Sequence, residues 1–151
     1  MKYYVAYGSN LSVEQMAHRC PDATIVGTGV LKDWALVFRY HATIEPREGS
    51  TVPVLVWASS ERDEERLDRY EGYPRYYVKK YLSVPVRCPS GRRNVRGMVY
   101  IMAEGRSPVT PPSDGYYGII EEGYERFNLD RRVLRHALDE SIYQHAIDGY
   151  V

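Results

Sequence analysis

The pattern of apolar and polar positions predicts strands through the first two thirds of the chain and helices at its end. Residues 2–7 (Lys2-Tyr3-Tyr4-Val5-Ala6-Tyr7) are aromatic and β-branched and predict a short strand. Gly8-Ser9-Asn10 then forms a turn signal. Ser12 followed by Gln15 fits a capping box, so a short helix is expected from Val13 to Arg19, stopped by Cys20-Pro21-Asp22. Residues 24–31 and 34–40 predict two strands joined near Lys32-Asp33. A polar loop over 45–50 leads to another strand over 52–58, whose Pro53 marks an edge or a strand start. Ser60, with Asp63 and Glu64 behind it, predicts a helix through Tyr70 that stops at Gly72. Strands over 76–86 and 95–102 flank the turn Pro89-Ser90-Gly91, and the Gly- and Pro-rich residues 104–115 read as loop. Two helices follow. In the last, capped by Asp130, Leu134, Leu138, Ile142 and Ala146 form one apolar stripe. Strands in the middle and helices at the end favour an α+β fold over a doubly wound α/β sheet, and closure into a small barrel is compatible with the pattern.

Length and charge narrow the class. At 151 residues the chain is expected to form a single domain over 1–151 with enough core to need no metal or disulfide staple. Twenty Lys and Arg balance twenty Asp and Glu, which argues against a nucleic-acid or anionic-membrane partner. Cys20 and Cys88 lack C-x-x-C spacing, so neither a zinc site nor a redox pair is expected. The first residues do not resemble a signal peptide and no apolar run reaches membrane length; the expectation is a reduced, cytoplasmic protein. Tyr (15) far outnumbers Phe (2) and Trp (2), which suits either a half-wet cavity or tyrosines on exposed strand faces.

Two segments can carry chemistry. Tyr7-Gly8-Ser9-Asn10-Leu11 lies between a strand and a helix start, where free backbone N–H groups gather and could hold a carboxylate, a phosphate or a developing oxyanion. It could equally be a tight turn. It lacks the glycine and lysine pattern of a nucleotide phosphate loop. The second segment is Leu67-Asp68-Arg69-Tyr70-Glu71-Gly72-Tyr73-Pro74-Arg75-Tyr76-Tyr77. Glu71 falls at a helix C-terminus, where the dipole disfavours an ionised carboxylate, and burial among Tyr70, Tyr73, Tyr76 and Tyr77 would raise its pKa further. Such a carboxyl can take and return a proton near neutral pH; the alternative is a surface glutamate beside a glycine cap. Asp68, three residues earlier, is expected to bond local backbone N–H groups. His18, His41, His136 and His145 show no metal-ligand spacing, and Ser9 lacks the Gly-x-Ser-x-Gly context of a hydrolase elbow.

Taken together, these motifs resemble the γ-glutamylcyclotransferase-like (AIG2-like) superfamily. Tyr7-Gly8-Ser9-Asn10-Leu11 is similar to its N-terminal substrate loop, and Met16 with Arg19-Cys20-Pro21-Asp22-Ala23 to the segment after it. Ala42-Thr43-Ile44, Pro46, Gly49 and Val52 resemble the stretch before its central strand. Leu67-Asp68, Glu71-Gly72, Pro74, Tyr77 and Lys79 resemble the signature around its catalytic acid. Pro112-Ser113, Tyr116 and Gly123 resemble the entry to its C-terminal helices. Pro53 departs from a glycine found in many members. The resemblance implies a small mixed β-barrel flanked by short helices and, as activity, cyclisation of a γ-glutamyl group to 5-oxoproline with release of the free amine, without cofactor or metal. It implies Glu71 as general acid/base, the backbone of Tyr7, Gly8, Ser9, Asn10 and Leu11 as the cradle for the γ-glutamyl group, and Tyr77 and Tyr116 as cavity walls.

The implied partner is a small γ-glutamyl molecule, with no nucleic acid or membrane. Two alternatives stay open: a non-catalytic binder with the same cavity, and a tailoring enzyme that removes a γ-glutamyl protecting group from a biosynthetic intermediate. Residues 41–50 and 104–115, long and turn-rich, are expected to shape the mouth.

Overall fold

The computed structural model describes residues 1–105 and 107–149. Five strands, β1 (Lys2–Ala6), β2 (Thr24–Arg39), β3 (His41–Ser59), β4 (Tyr77–Cys88) and β5 (Gly91–Met102), close in the order β1-β3-β2-β4-β5. All pairings are antiparallel except β1 with β5, which run parallel at Tyr3↔Gly97 and Tyr4↔Met98. Four helices, α1 (Val13–Arg19), α2 (Glu61–Glu71), α3 (Asp114–Arg126) and α4 (Arg131–Asp148), complete the mixed α+β architecture. None is long and apolar enough to cross a membrane.

Fully buried aliphatic side chains such as Val5, Val54, Val56, Val84 and Val99 fill the barrel. Closure is tightest where β2 meets β4, at Thr28↔Arg87 and Gly29↔Val86. A Cβ on Gly27 would lie 2.1 Å from the Arg87 carbonyl oxygen, so only glycine lets the two backbones approach this closely.

The break expected at Lys32-Asp33 is a bulge inside one long strand. Asp33 takes a left-handed conformation (φ 66°) and its carboxylate accepts from the Gly49 N–H (2.9 Å). Register jumps there from Lys32↔Thr51 to Trp34↔Pro46, so the polar stretch expected as a loop is an excursion within β3. The hairpin falls instead at Tyr40 (φ 68°), whose N–H donates to the Thr110 carbonyl (2.9 Å). A tertiary brace from 110 thus supplies what no local Gly, Asn or Pro signals. Pro53 sits opposite Val30, beyond the last β1–β3 pair (Ala6↔Leu55), so its missing N–H interrupts no ladder on that side.

The helix starts follow their caps. Ser12 accepts from Gln15 N–H (3.2 Å), but the Ser12 N–H is already bonded to the Ser9 carbonyl, and Gln15 Oε1 is left without a partner; only half the expected box forms. Ser60 and Asp63 form the complete box. On α4 the buried positions are Leu134, Ala137 and Ser141, with Leu138 half-buried; Ile142 and Ala146, expected on the stripe, are exposed. A helix face drifts with its 3.6-residue repeat, so a strict four-residue spacing leaves the contact face after two turns. Of the loop expected over 104–115, residue 106 lies outside the described residues, and α3 begins at Asp114.

Candidate active site

One end of the barrel gathers the last residues of β1, the β2–β3 hairpin, the start of β4 and the end of β5. A cavity of about 190 Å³ opens there, lined by Tyr7, Gly8, Ser9, Asn10, Tyr77, Tyr116 and Glu71, together with Tyr4, His41, Ala42, Tyr70 and Tyr100. Of the residues that the resemblance assigned to catalysis or substrate binding, Leu11 alone is absent from this wall. It has no exposed surface, and a Cβ on Gly123 of α3 would come 2.5 Å from its own, so Leu11 packs the loop against α3.

The loop after β1 is a single 3-10 turn, Ser9–Leu11. The N–H groups of Leu11 and Ser12 turn back to the carbonyls of Gly8 and Ser9 (3.0 Å each), so Leu11 N–H is already spent. Those of Gly8, Ser9 and Asn10 precede the turn's first bond and have no backbone or side-chain acceptor among the described residues. Asn10 holds the loop in place: its Nδ2 donates to Tyr4 Oη (2.9 Å), its Oδ1 accepts from Arg19, and its carbonyl accepts from Trp57 Nε1 (3.2 Å). The Arg19 guanidinium stacks 3.5 Å from the centre of the Tyr70 ring.

Glu71 is the last residue of α2. Gly72 (φ 65°, ψ 36°) reverses the chain, with Gly72 N–H bonding the Arg69 carbonyl (3.3 Å) and Tyr73 N–H the Asp68 carbonyl (2.9 Å), a Schellman closure. This fixes where the helix stops and delivers the Glu71 carboxyl into the cavity. No hydrogen bond or ion pair to the Glu71 carboxyl occurs among the described residues. Burial therefore dominates and pushes its pKa up to about 7, against a smaller opposing effect of the Arg19 charge. Of the four tyrosines expected around it, Tyr70 and Tyr77 do line the cavity, whereas Tyr73 and Tyr76 stand exposed outside it.

The other tyrosines hold the cavity's shape. Tyr77 Oη donates to the Ala42 carbonyl (2.7 Å), Tyr7 Oη to the Tyr100 carbonyl (2.6 Å), and Tyr116 Oη accepts from Ala42 N–H (3.1 Å). Tyr116 thereby keeps its own proton available to the cavity. Burial raises the pKa of Tyr7, Tyr77, Tyr100 and Tyr116, so all four are neutral donors. Ser9 Oγ and Tyr70 Oη, 3.2 Å apart, join the loop to the end of α2. His41 meets the Tyr116 ring edge-on (5.2 Å between centroids).

Asp68 differs from its expected backbone-bonding role. Its carboxylate accepts from Tyr100 Oη (2.6 Å) and pairs with Lys79 (2.9 Å), and Lys79 also reaches Glu64 (2.6 Å). Among the described residues no group of three or more His, Cys, Asp or Glu could hold a metal ion.

Tyr4 and Tyr100 were not legible as wall residues, because barrel pairing brings them together from β1 and β5; His41 and Ala42 open the 41–50 stretch expected at the mouth. A weak signal exists for Tyr4: period-two alternation along β1 sets it on the face opposite Tyr3.

Comparison with known proteins agrees with this architecture. The family model described as gamma-glutamyl cyclotransferase, AIG2-like, matches residues 4–127, and the chain belongs to that family. A solved structure described as a gamma-glutamyl cyclotransferase is similar with a TM-score of 0.77 at 27% identity, covering 90% of this chain and 85% of that one. The Homo sapiens protein loc79017 is similar to the same degree (TM-score 0.77, 28% identity, 90% and 85% covered). YkqA from Bacillus subtilis shares the fold at 22% identity and a TM-score of 0.71, with 90% of this chain and 54% of that one covered. No curated protein matches the chain in sequence.

Proposed function

We propose that this protein cyclises a γ-glutamyl amine to 5-oxoproline and releases the free amine, with Glu71 moving the protons. The observation that carries the reading is the lone Glu71 carboxyl, half-buried at the wall of the cavity that the Gly8-Ser9-Asn10 turn also lines, with a pKa near 7. The substrate's α-amine attacks its own γ-carbonyl carbon, a C–N bond forms, and the bond to the leaving nitrogen breaks. Both reacting groups belong to one molecule, so holding a folded conformer supplies much of the acceleration; effective molarities of about 10⁵–10⁸ M are reached in well-oriented cases. Glu71 as carboxylate takes a proton from the attacking nitrogen and as carboxylic acid gives it to the leaving nitrogen; the ammonium's other excess proton goes to water, from which the freed amine regains one. With a pKa near 7 both forms are populated at neutral pH. The unpartnered loop N–H groups and the Tyr116 hydroxyl are donors suited to the tetrahedral oxyanion.

A γ-glutamyl substrate fits the neutral tyrosine wall, which offers hydroxyls without adding charge. The alternative of a binding protein without turnover is disfavoured by Glu71: an unpaired carboxyl would weaken a purely anion-binding site. Incubating wild type and Glu71→Gln with γ-glutamyl amines, and measuring 5-oxoproline by mass spectrometry, tests the reading. Wild type is expected to release 5-oxoproline and the variant to bind substrate but release almost none. Near-full turnover by the variant rejects the role of Glu71.

A further inference from the structure

A second cavity, of about 500 Å³, adjoins the first and shares His41, Tyr70, Glu71 and Tyr77 with it. The first cavity has a volume of about six waters, enough for a glutamyl group and little more. Glu71 stands on the wall common to both. If Glu71 returns a proton to the leaving nitrogen, that nitrogen sits at the junction and its substituent extends into the larger chamber.

The chamber's lining points to the chemistry of that substituent. Tyr40 (51% exposed) and Tyr76 (62% exposed) present aromatic surface to it, and Met102 adds a polarisable apolar wall. Two arginines, Arg39 and Arg69, also line it. Arg39 is engaged, pairing with Glu45 (2.7 Å) and donating to the Ser107 carbonyl (2.7 Å). Arg69 has no side-chain partner among the described residues. It lies two residues before Glu71 on the last turn of α2 and is exposed, so its guanidinium is free to turn towards the junction. Among the described lining residues the only acid is Glu71 itself, which is half neutral near pH 7.

We propose that this chamber is the leaving-amine subsite and that it selects γ-glutamyl conjugates of amino acids with large apolar or aromatic side chains. Arg69 pairs with the carboxylate of the departing amino acid, and Tyr40, Tyr76 and Met102 cover its side chain. The inference rests on the cyclotransferase reading for its chemistry, but its recognition claim is separable from turnover.

The experiment compares γ-glutamyl-phenylalanine with γ-glutamyl-phenethylamine, which differ only by the carboxylate, and uses γ-glutamyl-methylamide as a substrate that leaves the chamber empty. Wild type is expected to favour the phenylalanine conjugate by about tenfold in kcat/KM, as for a solvent-accessible charge-assisted bond. In Arg69→Met that ratio falls towards one, and in Arg69→Lys part of it returns. A merely structural role for Arg69 would lower both substrates together and leave the ratio intact. A ratio near one in wild type, or a ratio unchanged in Arg69→Met, overturns the proposal. If none of the three conjugates yields 5-oxoproline, the cyclotransferase reading fails, and calorimetric binding of the same pair decides the subsite alone. Tighter binding of the phenylalanine conjugate that is lost in Arg69→Met upholds it; equal binding, or none, refutes it.

Discussion

Helix α2 carries two low-exposure glutamates two turns apart, and the fold treats them in opposite ways. Burial works against the charge on Glu64, but hydrogen bonds and charge from Lys79 and Lys2 outweigh it and hold the carboxyl below the usual range. On Glu71 burial again works against the charge, with no bonded cation to offset it, only the more remote Arg19, and its pKa rises to about 7. One carboxylate is locked into a structural network; the other is free to exchange a proton at the wall of a cavity. The difference lies in what the barrel brings opposite each: Lys79 on β4 faces Glu64, while tyrosines and the loop after β1 face Glu71. A carboxyl acquires its role from its partners and not from its place on a helix.

This contrast can be broken from either side. The largest effect is expected for Glu71→Gln, which should cut 5-oxoproline release by about 10²–10⁴-fold, the usual range for losing a positioned proton carrier. Steady-state kinetics checks it, with circular dichroism to confirm the fold. On the locked side, Lys79→Met leaves Glu64 and Asp68 without their shared cation. The loss should approach about 3 kcal/mol, the low end for breaking a buried pair, because Lys2 still serves Glu64. The sign follows from a depressed folded pKa. The wild-type advantage is present above the unfolded carboxylate value of about 4.3 and is lost as pH falls through the folded one. Urea denaturation at pH 7 and at low pH measures both.

Glu71 has the reverse sign. Its folded pKa is above its unfolded one, so the folded state binds more protons between about 4.5 and 7, and wild-type stability falls with rising pH across that window. Glu71→Gln has no such group. It should therefore be more stable than wild type by up to about 3 kcal/mol at pH 8, with little difference at pH 4.5. Denaturant midpoints at the two pH values check this. The smallest effect is expected at the cap. Gly72→Ala places a side chain in a left-handed conformation, costing about 1–2 kcal/mol. Its Cβ would also lie 2.7 Å from Tyr76 Cδ2, so activity should drop along with Tm as the end of α2 shifts.

The opposite fates of the two glutamates were half legible in the sequence. The Ser60 cap, the Gly72 stop and the helix between them are local signals, and they set Glu71 at the negative end of a dipole. The partner of Glu64 was not visible, because Lys79 reaches it only once β4 lies beside α2. The same division runs through the fold. Turns with their own chemistry, such as Pro89-Ser90-Gly91, fall where expected between β4 and β5. The hairpin at Tyr40 depends on Thr110, seventy residues downstream, and the polar Lys32-Asp33 step that mimics a turn is a bulge. Leu11 read as part of the substrate loop because it adjoins it, yet its side chain answers to Gly123. Interactions within about four residues were readable; those made by barrel closure were not.

The most direct test is a pH titration of the glutamate side-chain carboxyl carbons by NMR, with Glu64 and Glu71 followed in the same sample. The account predicts that Glu71 titrates near 7 while Glu64 titrates below the ordinary carboxylate range. Glu71 titrating together with exposed glutamates, at about 4–5, would contradict it.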